Sequence, residues 1–171
     1  MSVVVSSLKW NAAQSGAQKI TYDGDGYHLV RFPYGSDGES YDPWKMHDPA
    51  QGGTKPSVYP DPRSGLIWPS HDGWGVLSAM VFWAADPRAV EYRARFVRDP
   101  LNAEKYDSTA TNDSAITRGG QYRTYVWQMF VHRGTPLGLK VSARGVKDAK
   151  TKTAITLAEF KLAIHADVAT P

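Results

Sequence analysis

Three histidines draw attention in this 171-residue chain: His47 in Lys45-Met46-His47-Asp48 and His71 in Ser70-His71-Asp72, each beside an aspartate, and His132 at the close of an aromatic run. Imidazole with carboxylate is the pairing of general bases and of many metal sites. Ser70-His71-Asp72 even spells the letters of a hydrolytic triad. Consecutive residues cannot form one, because triad side chains converge from separate parts of a chain. No G-x-S-x-G elbow, H-E-x-x-H pair or phosphate-binding loop accompanies them. Asp23-Gly24-Asp25-Gly26 has the spaced carboxylates that open a calcium loop, but Tyr27 and Val30 stand where oxygen ligands would be needed. The sequence therefore assigns no catalytic residue, no cofactor and no metal ligand. What remains is the chemistry of rings. Tyr59, Trp68 and Trp74, with His71 and Asp72 close by, are residue types that stack on sugars. Buried, the same rings are anchors. The anchor reading is preferred, because a segment poor in backbone ladder bonds needs side-chain burial to stay ordered.

The elements that must position these residues follow from composition and pattern. Six Trp, nine Tyr, 11 Pro and 15 Gly disfavour a helical bundle and point to an all-β protein with long ordered loops. The absence of cysteine excludes a disulfide scaffold and a thiolate zinc site. A net charge of +3 is too small for a nucleic-acid coat. No apolar run approaches the ~20 residues of a membrane span. The opening residues lack the basic start and long apolar stretch of a secretory signal.

Three zones are expected. Residues 1–32 hold short strands: Val3-Val4-Val5 as an edge strand, then Ile20-Thr21-Tyr22 and Tyr27 to Val30 as a hairpin around the Asp-Gly pairs. Residues 33–75 hold seven of the prolines together with Trp44, Trp68 and Trp74, and predict an ordered docking arm rather than continuous strands. Residues 76–171 predict a jelly-roll-like antiparallel β-sandwich. There Val76 to Trp83 is apolar on both parities, as in a strand covered on both faces. Tyr92, Ala94 and Phe96 alternate with arginines, Tyr122 to Val131 forms a long aromatic strand, and Phe160, Leu162 and Ile164 alternate near the end. Charge divides similarly. Residues 33–75 carry six acidic and three basic groups, and residues 118–152 carry eight basic groups and Asp148. Two readings stay open: a solvated basic loop, or an acidic arm meeting a basic face.

Several phrases resemble one family. Leu8-Lys9-Trp10-Asn11, Lys19 to Asp23, Val30-Arg31-Phe32-Pro33-Tyr34-Gly35, Tyr41-Asp42-Pro43-Trp44, Met46-His47-Asp48-Pro49 and Gly65-Leu66-Ile67-Trp68-Pro69 are similar to small minor tail proteins of tailed bacteriophages that infect actinobacteria. Tyr125-Val126-Trp127 through Val131-His132-Arg133-Gly134-Thr135-Pro136-Leu137-Gly138-Leu139 and Ile155 to Leu162 resemble the last strands of virion-tip jelly rolls of C1q- or TNF-like architecture. The resemblance implies a virion structural protein of the tail tip or baseplate, without enzymatic activity. Its implied partners are itself, as a homotrimer, and other virion proteins, with a host cell-surface glycan as a further partner. It implies no nucleic-acid partner. A capsid decoration protein and a carbohydrate-binding receptor module are the alternatives. Candidate ligand or interface residues are Trp44, Tyr59, Trp68, His71, Trp74, Tyr125 and Trp127. The trimer contact is expected to use either Tyr125 and Trp127 or the opposite parity, Tyr122 and Phe130.

Overall fold

A computed structural model describes residues 2–22, 26–102, 107–117, 119–146 and 152–166. Its strands in chain order are β1 (Ser2–Asn11), β2 (Gln18–Thr21), β3 (His28–Leu29), β4 (Glu39–Tyr41), β5 (Leu66–Ile67), β6 (Gly73–Trp83), β7 (Ala89–Arg98), β8 (Asp107–Ala115), β9 (Gln121–Val131), β10 (Leu137–Gly145) and β11 (Lys152–Ala166). One short helix, α1 (Ala12–Ser15), follows β1, and the Asn11 side chain caps it by accepting from the Ala13 amide. The strands form two antiparallel sheets. The first runs β4-β1-β11-β6-β9, with β2 also beside β11; the second runs β3-β10-β7-β8, with β5 also beside β10. This is the expected jelly-roll sandwich.

Alternation decides which side chains enter it. In β11, Phe160, Leu162 and Ile164 are buried between the sheets, and β7 answers with Tyr92, Ala94 and Phe96. Phe160 bridges the layers, its ring 6.0 Å from Phe96 and 6.5 Å from Phe32. Trp83 stacks on Tyr92 at 4.0 Å with the planes 5° apart. Aromatic pairs of this kind add about 1 kcal/mol beyond the area they bury.

Val3-Val4-Val5 opens β1, which pairs along its length with β11; β4 reaches β1 only at Ser7 and Leu8, so the three valines have a ladder partner on one side, as expected of an edge. The structure corrects several other sequence expectations. The segments flanking Asp23-Gly24-Asp25-Gly26 are not a hairpin. β2 pairs with β11 in the first sheet and β3 with β10 in the second, so the chain crosses between layers there. Ile20 and Val30 then enter one core from opposite sides. The calcium-loop aspartates, Asp23 and Asp25, lie outside the described residues, as do residues 147–151 of the basic loop that runs from Arg144 to Lys152. Strand β6 begins at Gly73, so Trp74 belongs to a strand. Only the odd residues of β6 are buried; Val76, Met80 and Phe82 point out of the sandwich. Strand β8 was invisible in Asp107-Ser108-Thr109-Ala110-Thr111-Asn112-Asp113-Ser114-Ala115, which has no large apolar residue.

The β6–β7 turn is tied by a buried carboxylate. Asp86 accepts from the Arg88 amide at 3.0 Å and from its guanidinium at 2.9 and 2.8 Å. The Arg88 bonds outweigh burial and hold the Asp86 carboxyl down at about 2, from 3.8. A depressed carboxyl stabilises the fold above the unfolded value, and that contribution disappears as pH falls through the folded one. Asp86→Asn is therefore expected to cost about 1–2 kcal/mol at neutral pH. Urea titrations across pH should show the gap to the parent chain closing between 3.8 and 2; a constant gap would contradict the assignment.

Candidate functional site: the uncovered face of the first sheet

The outward residues of the first sheet form a grid, because register partners in an antiparallel sheet point to the same side. At one end Phe130, Trp74, His165 and Val3 stand side by side across β9, β6, β11 and β1. The next row is Gln128, Val76, Ala163 and Val5. At the far end Tyr122, Phe82 and Leu157 line up, with the Tyr122 and Phe82 rings 4.5 Å apart. Between the apolar ends runs a polar belt in which Lys161 pairs with Glu159 and Lys9 lies opposite Glu159. A shallow dimple of about 220 Å³ opens where Val126 and Met80 meet this belt. Trp74 is 49% exposed and Val126 61%. Trp74 is held in place by its indole N–H donating to Gln128 Oε1 at 3.0 Å.

The flank of the sandwich adds one more ring. Trp127 has the inward parity of its register partner Leu77, yet it is 43% exposed. It lies on β9, the last strand of its sheet. Of the two parities proposed for the contact, Tyr122 and Phe130 face outward. Tyr125 faces the core, and burial pushes its phenol up to about 12. Tyr125 is thereby a packing residue in the single chain, unlike Trp127.

The arm residues lie elsewhere. Trp44 is at the surface beside Tyr41, ring centroids 6.2 Å apart. Trp68 is half-buried and lies over Gly52, where a Cβ would strike its indole. Tyr59 is half-buried against the core. Tyr59 also lines a cleft beside α1, and Trp74 lies on the outward face of β6. His71 bonds to its neighbour Ser70 Oγ at 2.9 Å through Nδ1, while Asp72 accepts from the Arg133 amide at 2.7 Å. No triad geometry results. The buried apolar anchors of the arm are Met46, Leu66 and Ile67 rather than its tryptophans.

His47 holds the arm together. It is buried, with Nδ1 2.8 Å from Glu39 Oε1 and Nε2 2.9 Å from the Ser64 carbonyl. A carbonyl can only accept, so Nε2 carries hydrogen, while Nδ1 faces the carboxylate. Asp42 accepts from the Met46 and His47 amides at 3.1 and 2.9 Å, and Asp48 and Asp61 accept from the Ala50 and Arg63 amides at 2.8 Å each. The acidic groups of the arm therefore serve mainly its own turns. Asp72 is the acidic residue of this segment that bonds into the basic half, through the Arg133 backbone. Among the described residues no three His, Asp or Glu side chains are grouped to hold a metal.

Comparison with known proteins bears on this geometry. No family model and no curated protein sequence matches the chain. Solved structures do. An Eiger TNF from S. frugiperda superposes with a TM-score of 0.58 at 13% identity, covering 100% of this chain and 98% of that one. The fold is that of the C1q/TNF jelly rolls. The globular domain of zebrafish complement 1qA gives a TM-score of 0.58 at 9% identity over 93% of this chain and 94% of that one. Murine APRIL gives 0.55 at 8% identity over 96% and 100%. Identities this low establish architecture alone.

Removing the His47 ring should strip Glu39 and the Ser64 carbonyl of their shared partner. His47→Ala is expected to cost about 2–3 kcal/mol and to open residues 42–63 to limited proteolysis before the sandwich unfolds. Unchanged stability and an unchanged digestion pattern would show that the arm is held by other contacts.

Proposed function

We propose that this chain is a non-enzymatic structural protein that works as a homotrimer, closed through the outward face of β9-β6-β11-β1, and that it is carried on a bacteriophage virion at the tail tip or baseplate. The observation that supports self-association is the mismatch in β6. Its residues are apolar on both parities, yet in one chain only the inward set is covered. A sheet face bearing Trp74, Phe82, Tyr122, Val126 and Phe130 gains free energy when a second layer excludes water from it, at roughly 25 cal/mol per Å². That layer is supplied by another copy.

Trp127 favours three-fold over two-fold closure. Two copies packed face to face would leave the β9 flank in water. A ring in which the flank of one copy wedges against the face of the next buries Trp127 together with Trp74 and Phe130, and such heterologous contacts close when the rotation does. The Glu159–Lys161 belt then fixes register across the contact. The virion assignment rests on the sequence phrases described above and on the suitability of a large permanent interface for a particle component.

Val126→Glu tests the contact, since the residue is largely exposed in the single chain and the fold has no use for it. The variant is expected to keep its circular dichroism and to associate at least a hundred-fold more weakly in light scattering. Equal association by parent and variant would remove this face from the interface. Gold-labelled antibody against the chain should decorate tail tips; label confined to heads, or absent from particles, would refute the placement.

A further inference from the structure

A second feature of the arm is independent of self-association. Beside α1 the arm encloses a cleft of about 410 Å³. Its walls are the rings of Tyr34, Tyr59, Pro33 and Pro49, and its polar points are Gln14, Asp37 and Ser57. Both tyrosines are locked from behind. Tyr34 stacks on the buried His47 ring at 4.4 Å, 22° from parallel, and His47 is itself fixed at both nitrogens. The Tyr59 hydroxyl lies 3.3 Å from Ser15 Oγ, which in turn accepts from the Trp10 indole N–H at 2.7 Å. Trp10 is a core residue. Two rings are thus preorganised from the interior by separate chains of contact, as binding walls require.

Ser57 closes the floor of the cleft. Ser57 is 4% exposed, and its backbone amide is taken by the Pro49 carbonyl at 2.7 Å. Its hydroxyl lies near the Tyr34 phenol but makes no well-formed hydrogen bond. Asp37 and Gln14 stand exposed at the rim and are free to accept and donate to hydroxyl groups. The adjoining depression carries Glu39, Asp42 and Asp48 against Lys45. The local balance is negative, which disfavours phosphate, sulfate and acidic sugars.

We infer that this cleft binds one or two residues of a neutral saccharide, with Tyr34 and Tyr59 stacking on the apolar faces of the sugar ring and Asp37 and Gln14 bonding its hydroxyls. The volume suits a ligand of that size. The assignment keeps Tyr59 from the sugar-stacking set named from the sequence and pairs it with Tyr34, since Trp68 and Trp74 do not line this cleft.

Saturation-transfer NMR on the full chain with the methyl glycosides of glucose, galactose, mannose and N-acetylglucosamine at millimolar concentration tests this, with a proline decapeptide as the competing ligand class. At least one glycoside is expected to receive saturation. Gln14→Ala combined with Asp37→Asn should weaken that binding ten-fold or more while the melting temperature stays unchanged, because both residues are exposed. Trp44→Ala, outside the cleft, should leave it intact. No saturation of any glycoside, binding undiminished in the double variant, binding lost in Trp44→Ala, or binding of the decapeptide alone would each overturn the assignment.

Discussion

A sheet face made of aromatic and aliphatic side chains must be covered, and in this protein one such face is left to water by the chain that makes it. The inward faces of the two sheets solve the problem internally through Phe160, Phe96, Trp83 and Tyr92. The outward face of β6 and β9 does not. Its rows begin and end in rings and are divided by a charged belt. Such a pattern is wasteful in a monomer and economical in an assembly, where apolar ends give affinity and the belt gives register. The C1q/TNF jelly-roll architecture presents this sheet as one broad surface, and the proposed trimer depends on it.

The arm solves a different problem. A stretch broken by seven prolines cannot rely on ladder hydrogen bonds. It is ordered by point fixings: short contacts from Asp42, Asp48 and Asp61 to nearby amides, and the imidazole of His47 between Glu39 and Ser64. Residues that looked like chemistry in the sequence are thus the fastenings of a loop. Tyr34, held by the same histidine, gains a rigid ring at the surface as a consequence, and the proposed saccharide cleft is built on that rigidity.

Much of the fold was legible in the chain. Alternation in Tyr92-Arg93-Ala94-Arg95-Phe96 and in Phe160 to Ile164 identified half-buried strands, and turn residues marked the sandwich. What misled was local chemistry with a non-local outcome. The Asp-Gly pairs after Tyr22 signal a tight turn, yet the strands on either side pair with different sheets, a choice made by distant partners in β10 and β11. Strand β8 lies at a sheet edge and needs little apolar content, so periodicity could not reveal it. The double apolar pattern of Val76 to Trp83 predicts a strand covered on both faces, yet the chain covers only the odd-numbered side, because no second layer of its own packs on the other. Of the candidate site residues, Trp74 and Trp127 lie at the uncovered surface because of strand parity and edge position, whereas Tyr125 points inward for the same reason. The cleft beside α1 joins Gln14, Tyr34, Asp37 and Tyr59, whose spacing carries no motif.

Sedimentation equilibrium on the unmodified chain at micromolar concentration tests the central claim most directly. The expected result is a single species with the mass of three 18.9 kDa chains. A single species at 18.9 kDa would mean that the aromatic face is stable in water and that the proposed assembly does not form.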